Sequence, residues 1–193
     1  MNYLAHLYLS PDDDLSRLGN VMGDFVRDVD MGSLPKLVQE GIRMHQSIDV
    51  FTDTHPIVRN LRINFSKERR RFSGIALDVV FDHFLIQNWE DLTTNNDLDK
   101  YVDDCHASLL RQRDLMPERM EMVVSWMINR NWIRSYAQLN GVGRALDGLA
   151  GRLRAKHNFF GVIDEIEAHY DEIQTGFLEF FPQLQAHVDD FGS

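Results

Sequence analysis

Ser73-Gly74-Ile75-Ala76-Leu77-Asp78-Val79-Val80-Phe81-Asp82-His83-Phe84-Leu85 is the stretch on which the fold turns. Val79-Val80-Phe81 alone would suit a strand. The apolar run continues to Trp89 without a turn signal, however, and that length predicts a buried helix. Three ionisable groups sit inside it. Asp78 and Asp82 are four apart and share a helical face, with His83 adjacent. Burying an unpaired carboxylate costs several kcal/mol, so these side chains must find partners. A hydrogen-bonded core network is one solution and a bound metal ion is another. Both readings stay open on this stretch alone.

Working towards the N-terminus, the same rhythm recurs. Ser10-Pro11-Asp12-Asp13-Asp14 is a polar turn, with Asp14 expected to cap a helix from Leu15. Leu15, Leu18, Met22, Phe25 and Val29 then mark one buried stripe. Gly32-Ser33-Leu34-Pro35 interrupts it. Lys36 to Val50 is helical again, broken at Thr54-His55-Pro56 because the residue before proline is pushed out of helical geometry. Towards the C-terminus, Pro117-Glu118 starts a helix with Met120, Val123, Val124 and Met127 on one side. A further helix from about 162 to 181 is expected to stop at Pro182. These segments predict an all-α, single-domain, multi-helix bundle over residues 1–193, with roughly seven helices.

Composition narrows the function. The chain has 193 residues, 44% of them hydrophobic, and a formal net charge of −10, which argues against nonspecific nucleic-acid binding by the whole surface. Cys105 is the only cysteine. It forms no internal disulfide and has no base beside it in sequence, so a cysteine nucleophile is not expected. No apolar run approaches the ~18–20 residues of a membrane span, and residues 1–9 lack the basic start of a signal peptide. A cytoplasmic protein is the expectation.

The candidate chemistry lies in imidazoles and carboxylates at helical spacing. His45, Asp49 and Asp53 follow one another at intervals of four, as do Asp78 and Asp82, and Asp24 adds a carboxylate from an earlier helix. Asn2 and His6 share a face in the same way. A phosphodiester is anionic and repels hydroxide. A divalent ion held by such a mixed set offsets that charge and lowers the pKa of bound water towards ~7. Imidazole nitrogen with carboxylate oxygen suits manganese, iron, magnesium or zinc. Against this, His45–Asp49 can be a solvent-facing pair, Asp53 a turn residue, and His55 a local cap. His106, His157, His169 and His187 are read as ordinary core or surface histidines. The methionines from 116 to 127 and Trp126 and Trp132 are read as core.

Arg59, Arg62, Lys67, Arg69, Arg70 and Arg71 form a local charge reversal with only Glu68 against them. Such a segment either steers an anionic partner or is a solvated face paired with the excess acids.

Taken together, several motifs resemble the acyl carrier protein phosphodiesterase family. They are Asn2-Tyr3-Leu4-Ala5-His6-Leu7, Gly19-Asn20 with Gly23-Asp24-Phe25, and Gly41-Ile42-x-x-His45-x-x-Ile48-Asp49. Phe51-Thr52-Asp53, Pro56-x-Val58-Arg59, Leu77-Asp78-Val79-x-x-Asp82-His83-Phe84-Leu85, Ala168-His169-Tyr170-Asp171 and Phe181-Pro182 extend the likeness along the chain. The resemblance implies removal of 4′-phosphopantetheine from a holo-acyl carrier protein. It also implies a divalent metal, manganese favoured with magnesium or iron as alternatives, and a distant tie to HD-type phosphohydrolases. That tie points to Asp24, His45, Asp82 and His83 as catalytic and metal-binding, with His6, Asp49, Asp53 and Asp78 nearby. The basic segment would then dock the acidic carrier. A nucleotide or other small phosphodiester as substrate, or a noncatalytic helical binding module, are the alternatives.

Overall fold

A computed structural model describes residues 1–27, 29–95, 97–153 and 158–191. Among them are twelve α-helices and no strand: α1 (Tyr3–Tyr8), α2 (Asp14–Met22), α3 (Lys36–Thr54), α4 (Pro56–Leu61), α5 (Ser73–Gln87), α6 (Trp89–Leu92), α7 (Leu98–Arg111), α8 (Glu118–Asn129), α9 (Trp132–Ser135), α10 (Leu139–Ala150), α11 (Ile163–Ala168) and α12 (Tyr170–Phe191). The all-α expectation is met. The count exceeds seven because α1, α4, α6, α9 and α11 are single short turns of four to six residues, too brief to leave a periodic signature.

α5 is the central element. A helix apolar on all sides has no face to give to water and must be enclosed. Ala76, Leu77, Val80, Phe81, Phe84 and Leu85 are accordingly buried on every side of it. Its rings meet those of α12, with Phe81 5.2 Å from Phe177 and 5.8 Å from Phe180 between centroids. That packing explains why α12 runs straight through Pro182, where the sequence predicts an end. Proline removes one helical N–H bond and crowds the preceding turn. Phe180, Phe181, Leu184 and Val188, on both sides of it, are all buried, and their burial outweighs the local defect.

Two further boundaries differ from expectation. Asp13, not Asp14, caps α2, its Oδ1 accepting from Leu15 N at 3.0 Å and Ser16 N at 2.8 Å. Asp14 instead pairs with Arg111 at 2.6 Å and ties α2 to α7. The stripe from Leu15 to Val29 is not one helix either. It ends at Met22 and tightens into a 3-10 turn at Gly23–Phe25, which turns Asp24 towards α3.

α2 and α3 pack most intimately, and glycine is the reason. A Cβ on Gly19 would lie 2.2 Å from the Val38 carbonyl oxygen, and one on Gly41 would lie 2.5 Å from that of Ser16. Only backbone against backbone fits there. No helix among the described residues is long and apolar enough to cross a membrane.

Candidate active site

Close approach of α2 and α3 brings three helices together at one point. α1 carries His6, α2 carries Asn20, and α3 carries His45 and Asp49. The His6 and His45 rings stack with centroids 4.1 Å apart and planes at 20°. Gly23 makes this possible, since a Cβ there would sit 2.2 Å from the His45 ring. Asp49 is the hub. Its Oδ1 lies 3.3 Å from His6 Nε2 and its Oδ2 3.1 Å from His45 Nε2. Asp24, exposed on the 3-10 turn, stands 3.6 Å from His45 Nε2.

Asn20 fixes the state of His6. Its Nδ2 donates to the His6 carbonyl at 3.0 Å and to Ser10 Oγ at 2.9 Å, so its Oδ1 faces His6 Nδ1 at 2.9 Å as an acceptor. His6 Nδ1 therefore carries the proton. Burial holds the ring below its ordinary pKa and hence neutral. Nε2 is left as a bare lone pair, buried, without a well-directed hydrogen bond, facing Asp49. An outer hydrogen bond that aims one ring nitrogen by holding the other is how proteins prepare a metal-ligating histidine.

The electrostatics point the same way. Burial opposes charge on His45, but Asp24 and Asp49 outweigh it and push its pKa up to about 9. Burial likewise opposes the Asp49 carboxylate, yet His45 and the Met1 amino group, 3.3 Å from its Oδ1, hold its pKa far below the usual carboxylate range. Ligand atoms of His6, His45 and Asp49 all lie within 4.8 Å of one another. Two imidazoles and a carboxylate, with His6 Nε2 and His45 Nδ1 both buried and without a hydrogen bond, are a donor set that fits a divalent cation.

The structure does not bring Asp82 and His83 into this cluster. Asp82 is fully buried and accepts from Leu4 N at 2.9 Å and Ala5 N at 3.1 Å. It thereby caps α1, whose own N-cap residue Asn2 makes no side-chain capping bond. His83 points elsewhere. Its Nδ1–H donates to the Tyr136 carbonyl at 2.7 Å and its Nε2 meets the Tyr170 hydroxyl at 3.0 Å, which occupies both nitrogens. Asp78 accepts from the Met1 amino group at 2.9 Å. Asp53 pairs with Arg62 on the surface.

Much of the basic segment is also occupied. Arg69 donates to the carbonyls of Asn158 and Phe160, both at 2.7 Å, and to Glu165. Arg70 donates to the carbonyls of Ile63 and Phe65, and Arg71 lies over the Phe72 ring. Arg59 and Lys67 are the exposed remainder without such ties among the described residues. His55 caps α4 through Ile57 N, and His187 bonds Ser47. His169 meets Glu172, and His106 is buried. His157 lies outside the described residues.

In front of the cluster opens a cavity of ≈ 600 Å³. Asp24, Asp49 and Asp78 line one part of it, while Tyr3, Trp132 and Leu149 add apolar surface and Arg130, Arg144 and Arg152 add positive charge. These arginines form no cluster in the sequence, because one follows α8 and the other two lie in and just after α10. The only available signal is the four-residue spacing of Arg144, Gly148 and Arg152. A larger, more open hollow of ≈ 1110 Å³ is lined by Tyr8, Arg17, Lys100, Tyr101 and Asp189 and contains none of the candidate residues.

Comparison with known proteins supplies the family. A family profile described as acyl carrier protein phosphodiesterase matches residues 1–184. The chain belongs to the acyl carrier protein phosphodiesterase family. Its relatives include the protein of that name from Serratia proteamaculans (strain 568), 36% identical over 190 residues, or 98% of each chain. The one from Yersinia pestis is 36% identical over 184 residues, 95% of each chain. The one from Photorhabdus laumondii is 35% identical over 98% of this chain and 96% of its own. No solved structure matches the chain significantly.

Proposed function

We propose that this protein hydrolyses the phosphodiester joining 4′-phosphopantetheine to the serine of an acyl carrier protein, with a divalent cation held by His6, His45 and Asp49 and with Asp24 beside them. Water adds across the bond between phosphorus and the serine oxygen. The serine regains its hydroxyl, and the phosphate leaves with the pantetheine as a monoester. The observation that carries this reading is the stacked pair of imidazoles sharing Asp49 at the head of a cavity that is acidic at one part and basic at another. Family membership supports the choice of substrate.

The cation, manganese favoured with magnesium or iron as alternatives, would supply positive charge opposite the phosphodiester and make water more acidic. The protein does the remainder. Asn20 holds His6 in the tautomer that presents Nε2. Gly23 leaves space for His45 to stack. Asp24, the exposed carboxylate at the edge of the cluster, is placed to take the proton of the attacking water. Asp82 holds α1, and with it His6, against α5. Asp82 and His83 thus serve the site through packing and hydrogen bonds, not by touching substrate.

The deciding experiment is the mass of a holo-acyl carrier protein before and after incubation with the enzyme and manganese. A loss equal to phosphopantetheine is expected. An unchanged carrier, beside turnover of a nucleotide phosphodiester in a parallel reaction, would move the substrate to the small-molecule alternative.

A further inference from the structure

Gly148 sits inside α10, where a glycine costs roughly 0.5–1 kcal/mol relative to alanine. The other two glycines of this helix face packed neighbours. A Cβ on Gly141 would lie 1.9 Å from the Ser135 carbonyl oxygen, and one on Gly143 would touch Ile163 at 3.4 Å. At Gly148 an added Cβ meets nothing within 4 Å, and the backbone there is ordinary right-handed helix. Neither sterics nor backbone strain calls for glycine at this position. What distinguishes it is its place on the wall of the ≈ 600 Å³ cavity, so a side chain there would project into the cavity.

Its neighbours on that wall are informative. Arg144, four residues before, and Arg152, four residues after, line the same cavity. Among the described residues neither forms an ion pair, in a chain where Arg17, Arg62, Arg69, Arg111, Arg113 and Arg134 all do. Arg152 lies over the Trp126 ring at 5.8 Å, which holds it in place without neutralising it. Leu149 and Trp132 supply apolar surface beside them. The wall therefore has a gap with no side chain, flanked by two uncompensated guanidinium groups and bordered by apolar groups. That is the shape and charge for an extended, largely uncharged chain attached to a phosphate.

We propose that α10 forms the subsite for the substrate's arm, with Gly148 as the specificity-determining position over which the pantetheine chain passes and Arg144 and Arg152 gripping the phosphate to which it is attached. This rests on the function proposed above and deepens it, because it assigns the part of the site that distinguishes an arm-bearing diester from any other. Guanidinium forks match the non-bridging phosphate oxygens, while the glycine leaves the width that the chain needs.

The test is a graded series, Gly148→Ala, Gly148→Leu and Gly148→Trp, in the full-length protein. All three replace glycine in a helix by better helix formers facing open space, so folding is expected to be kept or improved. Each variant is assayed on holo-acyl carrier protein and on bis(p-nitrophenyl) phosphate, which has no arm, and for calorimetric binding of free 4′-phosphopantetheine. Alanine is expected to change little. Tryptophan is expected to lower kcat/KM on the holo-carrier by roughly a hundredfold, seen first as a raised KM in the leucine variant, as pocket occlusion predicts. It should abolish phosphopantetheine binding and lower the rate on the arm-free diester far less than the rate on the holo-carrier, since Gly148 does not touch the reacting atoms. A tryptophan variant that processes holo-carrier normally overturns the proposal, as does one that loses both substrates equally. Unmutated protein that leaves the holo-carrier intact overturns the functional reading itself, and is recognised before any variant is compared.

Discussion

Replacing Asp82 by asparagine tests how this carboxylate is used, and the structure specifies the size of the effect. Asp82 has no exposed surface and is tied to Leu4 N and Ala5 N. Burial, which disfavours its charged form, outweighs the two N–H donors and the nearby Met1 amino group and pushes its pKa up to about 7. An unfolded aspartate titrates near 3.9. The native state thus binds the proton more tightly than the unfolded state. The resulting stability is fully present below about pH 4 and is lost as pH rises through 7. Between pH 5 and pH 8 the loss for these two pKa values is roughly 2.5 kcal/mol. At ~2–3 kcal/mol per molar urea, that is a shift of about 1 M in the unfolding midpoint.

The amide introduced by Asp82→Asn cannot titrate. It keeps one acceptor oxygen for α1 and lacks the charge, much as the protonated acid does. The difference between wild type and variant, measured by urea unfolding in chelator at pH 5, 6.5 and 8, should therefore move in favour of asparagine by about 2.5 kcal/mol as pH rises. Differencing removes the titration of all other groups to first order. A flat difference, or one moving in favour of aspartate, would mean that Asp82 is ionised throughout. A carboxylate held ionised in that way is what a ligand or a fully compensated ion pair looks like, and the reading of Asp82 as an acid kept neutral by burial would fail. Manganese affinity offers an independent check. A cap mutant retains it within about an order of magnitude, as expected for a group outside the coordination sphere.

Other consequences are open to direct measurement. His45, with a pKa near 9, must shed its proton to ligate, so manganese affinity should rise about tenfold per pH unit between pH 6 and 8; competition titration with a chelator would reveal a pH-independent affinity if the ion binds elsewhere. Gly23→Ala drives a methyl group into the His45 ring and should cost about 1–3 kcal/mol in stability, as overpacking does, together with most of the activity. Unchanged turnover would show that the stack with His6 is dispensable. Asn20→Leu should weaken manganese binding by roughly 10–100-fold by freeing the His6 tautomer, which equilibrium dialysis can measure. Arg69→Ala should lower thermal stability without raising KM for the carrier, because this guanidinium is used up by Glu165 and two carbonyls; a raised KM at unchanged stability would restore the basic segment as the docking face.

Helices are legible where a long apolar rhythm carries them. α3, α5, α8 and most of α12 follow from spacing alone, and the turn at His55–Pro56 falls where proline chemistry puts it. Sequence and structure part where tertiary contact overrules local preference. Pro182 does not end α12 because aromatic packing on both sides of it is worth more than the missing hydrogen bond. Asp14 reads as the cap of α2, but Arg111, far along the chain on α7, claims it, and Asp13 caps in its place. Short helices such as α1 have no rhythm to be read at all.

The site is legible as a list of residue types and not as a geometry. Spacing correctly places His45 and Asp49 on one face of α3. It does not say where Asp82 and His83 turn, because a buried acid beside a buried imidazole satisfies the demand for partners equally well through backbone groups. Asp82 meets that demand at the start of α1 and His83 at Tyr136 and Tyr170. The partner that completes the cluster, His6, belongs to a separate helix and stacks on His45 where Gly19 and Gly41 let α2 and α3 touch and Gly23 leaves room for the ring. Burial energy alone therefore identifies which charged residues need an explanation. Which of them meet one another is set by the glycines that decide how closely the helices approach, and in this chain those glycines, at 19, 23 and 41, lie within the very motifs that carry His45 and Asp24.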